Sequence, residues 1–203
     1  MKNQHWLLIA ITALLLNGCS QKNATEKNTI TVVATTGMIY DAILNIAGDK
    51  IKTEVLMGPG VDPHLYKATQ GDVKKLTQAD AIFYNGLHLE GKMGEVLEQL
   101  QRTRRVVAVA ESLPDSLVIR SEAFQNSADP HIWFDVSRWK YAVTAIGQAI
   151  IQYDTANRGY YQKNLETYLD QLDSLDQFVQ RRIEEIPPGQ RILVTAHDAF
   201  GYF

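Results

Sequence analysis

Two histidines in this chain share one local sequence, Asp62-Pro63-His64 and Asp129-Pro130-His131. Proline fixes its own φ and pushes the residue before it toward an extended shape, so each histidine follows a stiffened stretch of loop. Apolar or aromatic residues come next, Leu65-Tyr66 in one copy and Ile132-Trp133-Phe134 in the other. Two imidazoles on stiff loops make a pre-organised pair of donors, most simply for a metal ion. Asp-Pro is also a common turn opener, so the tripeptides alone leave open a plain pair of structural turns.

The elements that must position these loops follow from the periodicity of apolar residues. Short β-branched runs predict strands over Thr29 to Thr35, Lys52 to Met57, Ala81 to Tyr84 and Val106 to Ala110. Helical spacing predicts helices over Met38 to Ala47, Thr69 to Gln78, Glu90 to Gln101 and Ser137 to Tyr153. Strands alternating with helices imply a parallel sheet covered on both faces. Ligands of such sheets bind beyond the carboxyl ends of the strands. His64 falls just past the end of the second strand, and His131 after the long loop that follows the fourth. Asn157 to Ile186 keeps one apolar stripe for about eight turns, or roughly 45 Å of helix. Pro187-Pro188-Gly189 ends it, and Arg191 to Thr195 reads as a further strand. The fold class is therefore α/β. A parallel-sheet lobe over 29–155 is followed by a long connecting helix over 156–187, and 188–203 is expected to open a second α/β lobe.

Composition narrows the field. With 45% hydrophobic and 21% charged residues the chain is ordinary globular protein, and its net charge of -3 gives no reason to expect nucleic acid as a partner. Cys19 is the sole cysteine, so no internal disulfide can form. It ends a leader: Lys2 supplies a basic start, and Trp6 to Leu16 is an apolar run of signal-peptide length, short for a membrane span. Leu16-Asn17-Gly18-Cys19 resembles the bacterial lipobox, although Asn17 departs from the usual small or apolar residue. An ordinary signal peptide with an incidental cysteine is the blander alternative. The expectation is a signal peptide over 1–19, lipidation at Cys19 and a polar tether over 20–28. That places the protein outside the cytoplasm on a bacterial membrane.

Four stretches together carry a family resemblance. They are Gly58-Pro59-Gly60-Val61-Asp62-Pro63-His64-Leu65-Tyr66, Tyr84-Asn85-Gly86-Leu87-His88-Leu89-Glu90, Asp129-Pro130-His131-Ile132-Trp133-Phe134-Asp135, and Thr195-Ala196-His197-Asp198-Ala199-Phe200-Gly201-Tyr202-Phe203. The chain resembles the TroA-like metal-binding lipoproteins of ABC transporters for zinc and manganese. The resemblance implies two α/β lobes joined by one long helix, with the metal between them. It implies metal ligands at His64, His131 and His197, and a fourth, often an aspartate, beyond Phe203. Some manganese-selective relatives carry Glu where His197 stands. It also implies a permease and its ATPase as partners, and a monomer. Three neutral imidazoles and a carboxylate suit zinc best and allow manganese. With the fourth ligand outside the chain, binding is expected to be weaker than in a complete protein.

Other residues weigh less. His88 reads as supporting or structural more than as a ligand, and Glu90 as a charge on the first turn of its helix. Tyr66, Trp133 and Phe134 read as walls or core. Gly58 and Gly60 lack the Lys-Ser or Lys-Thr of a phosphate loop. A zinc hydrolase would also use three histidines and an open position, but no general-base motif accompanies them. A surface adhesin with a structural metal is the third reading.

Overall fold

The computed structural model describes residues 29–121 and 126–203, so the leader, Cys19 and the tether lie outside the described residues. Four short strands form the sheet: β1 (Thr31–Ala34), β2 (Lys52–Val55), β3 (Ala81–Tyr84) and β4 (Arg105–Ala108). Their order is β2-β1-β3-β4 and every pairing is parallel. The chain therefore winds outward from β1 in one direction and then in the other. This leaves a switch point between the carboxyl ends of β1 and β3, where ligands of open α/β sheets bind.

Five helices cover the sheet: α1 (Gly37–Ala47), α2 (Gln70–Gln78), α3 (Gly94–Gln101), α4 (Val136–Tyr153) and α5 (Arg158–Glu184). Alternate strand residues point to opposite faces, and both faces are dry. Val32, Ala34, Ala81 and Phe83 pack with Ile39, Ile43, Val143, Ile146 and Tyr161 of α1, α4 and α5. Val33 and Ile82 pack with Leu76 and Leu97 of α2 and α3. Each large side chain buried this way contributes about 1.5–3 kcal/mol. The helix starts are set by polar side chains. Thr69 and Asp72 form a reciprocal capping box on α2, and the Asp72 carboxylate also accepts from the Tyr66 hydroxyl at 2.7 Å. Tyr66 is thus part of the scaffold. Asp135 accepts from the Arg138 amide at 3.0 Å and caps α4.

Two expected elements need correction, and a third is only partly covered. The helix expected from Glu90 begins at Gly94, because Glu90 is turned inward to accept backbone donors and is not on a helix. The apolar stripe of α5 is buried over its first half, at Tyr161, Leu165 and Leu172, while Leu175 and Phe178 are 45% and 53% exposed. The strand expected at Arg191 to Thr195 does not form. A strand exists only through its pairing. Among the described residues no strand lies beside this segment, and Ile192 and Val194 are 79% and 89% exposed.

Candidate metal centre

Both Asp-Pro-His tripeptides fold into the same turn. The Asp62 carboxylate accepts a hydrogen bond from the His64 amide at 2.9 Å, and the Asp129 carboxylate accepts from the His131 amide at 2.9 Å. Proline, which has no N–H, spaces the carboxylate to reach the amide two residues on. The repeated sequence is therefore one structural device used twice. Before the first copy, Gly60 takes φ 82°, a left-handed conformation that favours glycine.

The device brings the two imidazoles together. His64 Nε2 lies 3.1 Å from His131 Nε2, and His197 Nε2 lies 3.2 Å from His131 Nε2. The ligand atoms of the three residues all fall within 4.8 Å of one another. An ion bound tetrahedrally at 2.0–2.1 Å from each nitrogen would set N···N edges of about 3.3 Å, close to these spacings. His131 is the buried centre of the group, His64 is half-buried and His197 is exposed.

Protonation is arranged for the same purpose. Asp129 Oδ1 is 2.7 Å from His131 Nδ1, so this nitrogen is the donor and Nε2 is the one turned to the other two rings. Such a carboxylate behind a histidine fixes the ring and raises its basicity toward a metal. Burial, and then the neighbouring His131 ring, push the His64 pKa below its ordinary value, against the opposing pull of Asp62. His64 is thereby held neutral and able to donate near neutral pH. The Trp133 ring meets His131 edge-on at 5.3 Å, and Phe134 packs on Phe200 at 4.3 Å, so these aromatics wall the centre.

A second network stands behind His131. Glu90 is 3% exposed. It accepts from the Thr35 hydroxyl at 2.7 Å, the Asn85 amide at 2.7 Å and the Gly86 amide at 3.2 Å. Thr35 follows β1 and Asn85 follows β3, so Glu90 ties the two strands at the switch point. The Asn85 side chain donates in turn to the carbonyl of Pro130, the residue before His131, at 3.0 Å. To let Glu90 reach back, Gly86, Leu87 and His88 all take positive φ, at 83°, 50° and 64°. Two non-glycine residues in that region store strain, as is common beside functional sites. Sequence reasoning gave Glu90 a helix-end role and missed this one; the turn dipeptide Asn85-Gly86 was its only local signal. His88 is exposed and lines a separate cavity of about 440 Å³ with Glu111 and Arg120.

With this geometry in view, relatives decide the family. The family model for the periplasmic zinc-uptake complex component A (ZnuA) matches residues 32–203. The chain belongs to this family. Among relatives of this zinc-uptake component A family, it is 48% identical over 182 residues to the zinc-binding protein TroA of Treponema pallidum (strain Nichols), an alignment covering 90% of this chain and 58% of TroA. It is 42% identical over 197 residues to the manganese-binding lipoprotein MntA of Bacillus subtilis (strain 168), covering 96% of this chain and 64% of MntA. The solved structure of the periplasmic zinc binding protein TroA from Treponema pallidum superposes with a TM-score of 0.84, over 86% of this chain and 62% of that one. The Fe(III)-bound YtgA structure from Chlamydia trachomatis does so with a TM-score of 0.79 at 33% identity, over 86% of this chain and 61% of that one. The α/β architecture with its parallel sheet is thus that of the family. The chain spans 58% and 64% of the lengths of TroA and MntA.

Proposed function

We propose that this chain is the metal-capturing part of a substrate-binding protein of an ABC transporter. It takes up a divalent ion outside the cytoplasm, zinc first and manganese second, and hands it to a permease driven by an ATPase. His64, His131 and His197 are the ligands. The observation that carries the reading is the convergence of three imidazole Nε2 atoms at 3.1 and 3.2 Å around His131. Nitrogen donors favour zinc, while manganese prefers oxygen and would depend more on ligands from elsewhere. The names of the relatives, zinc-binding and manganese-binding proteins and lipoproteins, support a carrier over an enzyme or an adhesin. They also support an extracytoplasmic location. A lipid anchor at Cys19, a monomeric state, and a second lobe opening at 188–203 complete the proposal; the anchor would keep the loaded protein near its permease.

Titration of the chain with zinc tests this. One ion per chain is expected, released to a chelator while the circular dichroism of the fold persists. Unfolding on chelation would point to a structural metal and overturn the carrier reading.

A further inference from the structure

The segment that brings His197 to the other two histidines is fastened unevenly. On its amino-terminal side, Ile192, Leu193 and Val194 are 79%, 59% and 89% exposed. On its carboxyl side, Tyr202 is 7% exposed and joins the main core cluster. The Tyr202 hydroxyl accepts from the Ile119 amide at 3.0 Å and donates to the Asp129 carbonyl at 3.0 Å. Its ring lies 5.2 Å from the Arg138 guanidinium. Beside it, Gly201 approaches Asp129 so closely that an added Cβ would stand 2.8 Å from Oδ2. Asp129 is therefore a meeting point. One carboxylate oxygen holds the His131 ring and amide, the other faces Gly201, and the carbonyl takes the Tyr202 hydroxyl.

We propose that Tyr202 is a positioning residue for the metal centre. Its hydroxyl clamps the His197 segment onto Ile119 and Asp129, so that the third imidazole and the Asp129–His131 pair are held as one unit. The inference rests on reading the three histidines as ligands. His197 is the exposed member of the group and lies five residues from the clamp, so an ion leaves by losing His197 first. The clamp thus governs the rate of release more than the rate of capture, as most affinity differences lie in dissociation.

Tyr202→Phe removes both hydrogen bonds and keeps the ring. Zinc dissociation into excess chelator is measured for the whole chain, for Tyr202→Phe, for His197→Ala, for the double variant and for His131→Ala. Tyr202→Phe is expected to speed zinc release about tenfold, the size of one or two lost hydrogen bonds, and to shift the visible absorption of the cobalt(II) form. In the His197→Ala background it should add nothing. Gly201→Ala, which crowds the segment off Asp129 while sparing the Tyr202 ring, should also speed release. A purely structural tyrosine would alter release equally in both backgrounds; that result overturns the clamp. Unchanged release in Tyr202→Phe, with binding weakened in His131→Ala, overturns the clamp alone. Unchanged zinc affinity in His131→Ala overturns the metal-site reading beneath it.

Discussion

Replacing His131 by alanine is expected to weaken zinc binding at least about 100-fold, the upper end of what loss of an outer-shell partner costs, as read by competition with a chromogenic chelator. His131 is the one member of the group whose Nε2 lies within 3.2 Å of both others. It is 5% exposed, and its tautomer is set by Asp129. Removing it leaves His64 and His197, whose ring centroids are 5.3 Å apart, without the buried ring that both approach. The loss should therefore exceed that of His197→Ala, where the two Asp-Pro-His turns still present a pre-organised pair. An affinity that survives the substitution would mean the three rings are no more than a hydrogen-bonded imidazole cluster.

Glu90→Ala is expected to act on the fold as well as on the site. Three donors lose their acceptor: the Thr35 hydroxyl and the amides of Asn85 and Gly86. Thr35 and Asn85 are 0% and 1% exposed, so water cannot readily replace the carboxylate. At roughly 1–3 kcal/mol for each buried group left unsatisfied, the cost is about 3 kcal/mol or more, measured by urea unfolding of the metal-free chain. The strained turn at Gly86, Leu87 and His88 is then no longer held, and the Asn85 contact to Pro130 loosens behind His131. Zinc affinity should fall together with stability, whereas His131→Ala acts chiefly on binding. The pH dependence has a definite sign. Burial raises the Glu90 pKa against the pull of its hydrogen bonds. Its stabilising contribution is therefore complete below the ordinary carboxylate range and declines as pH rises through the raised value, so the cost of Glu90→Ala shrinks in the same direction. A total cost below about 1 kcal/mol for Glu90→Ala would show that Glu90 does not tie the strands together.

Much of this architecture is legible in the residues themselves. Ala81 to Tyr84 reads as a strand and is one, residue for residue, because a four-residue apolar run with an aromatic pair, closed by Asn85-Gly86, is too short for a buried helix. His64 and His131 announce themselves through a repeated tripeptide whose turn chemistry is local. Glu90 is not legible in the same way. Its partners stand 55 residues away at Thr35 and across a left-handed turn, and a carboxylate before a helix reads more simply as a helix-end charge. Tyr202 is hidden for a similar reason, since its hydroxyl reaches back 83 residues to Ile119. The Arg191 to Thr195 segment carries the pattern of a strand, but pattern cannot supply the neighbour that a strand requires.

X-ray absorption spectroscopy of the zinc-loaded chain tests the central claim most directly, because it counts the ligands of the bound ion. A first shell at about 2.0–2.1 Å with the multiple-scattering signature of three imidazoles, reduced by one imidazole in each of His64→Ala, His131→Ala and His197→Ala, is the predicted result. A shell of oxygen donors alone, unchanged by those three substitutions, would contradict it.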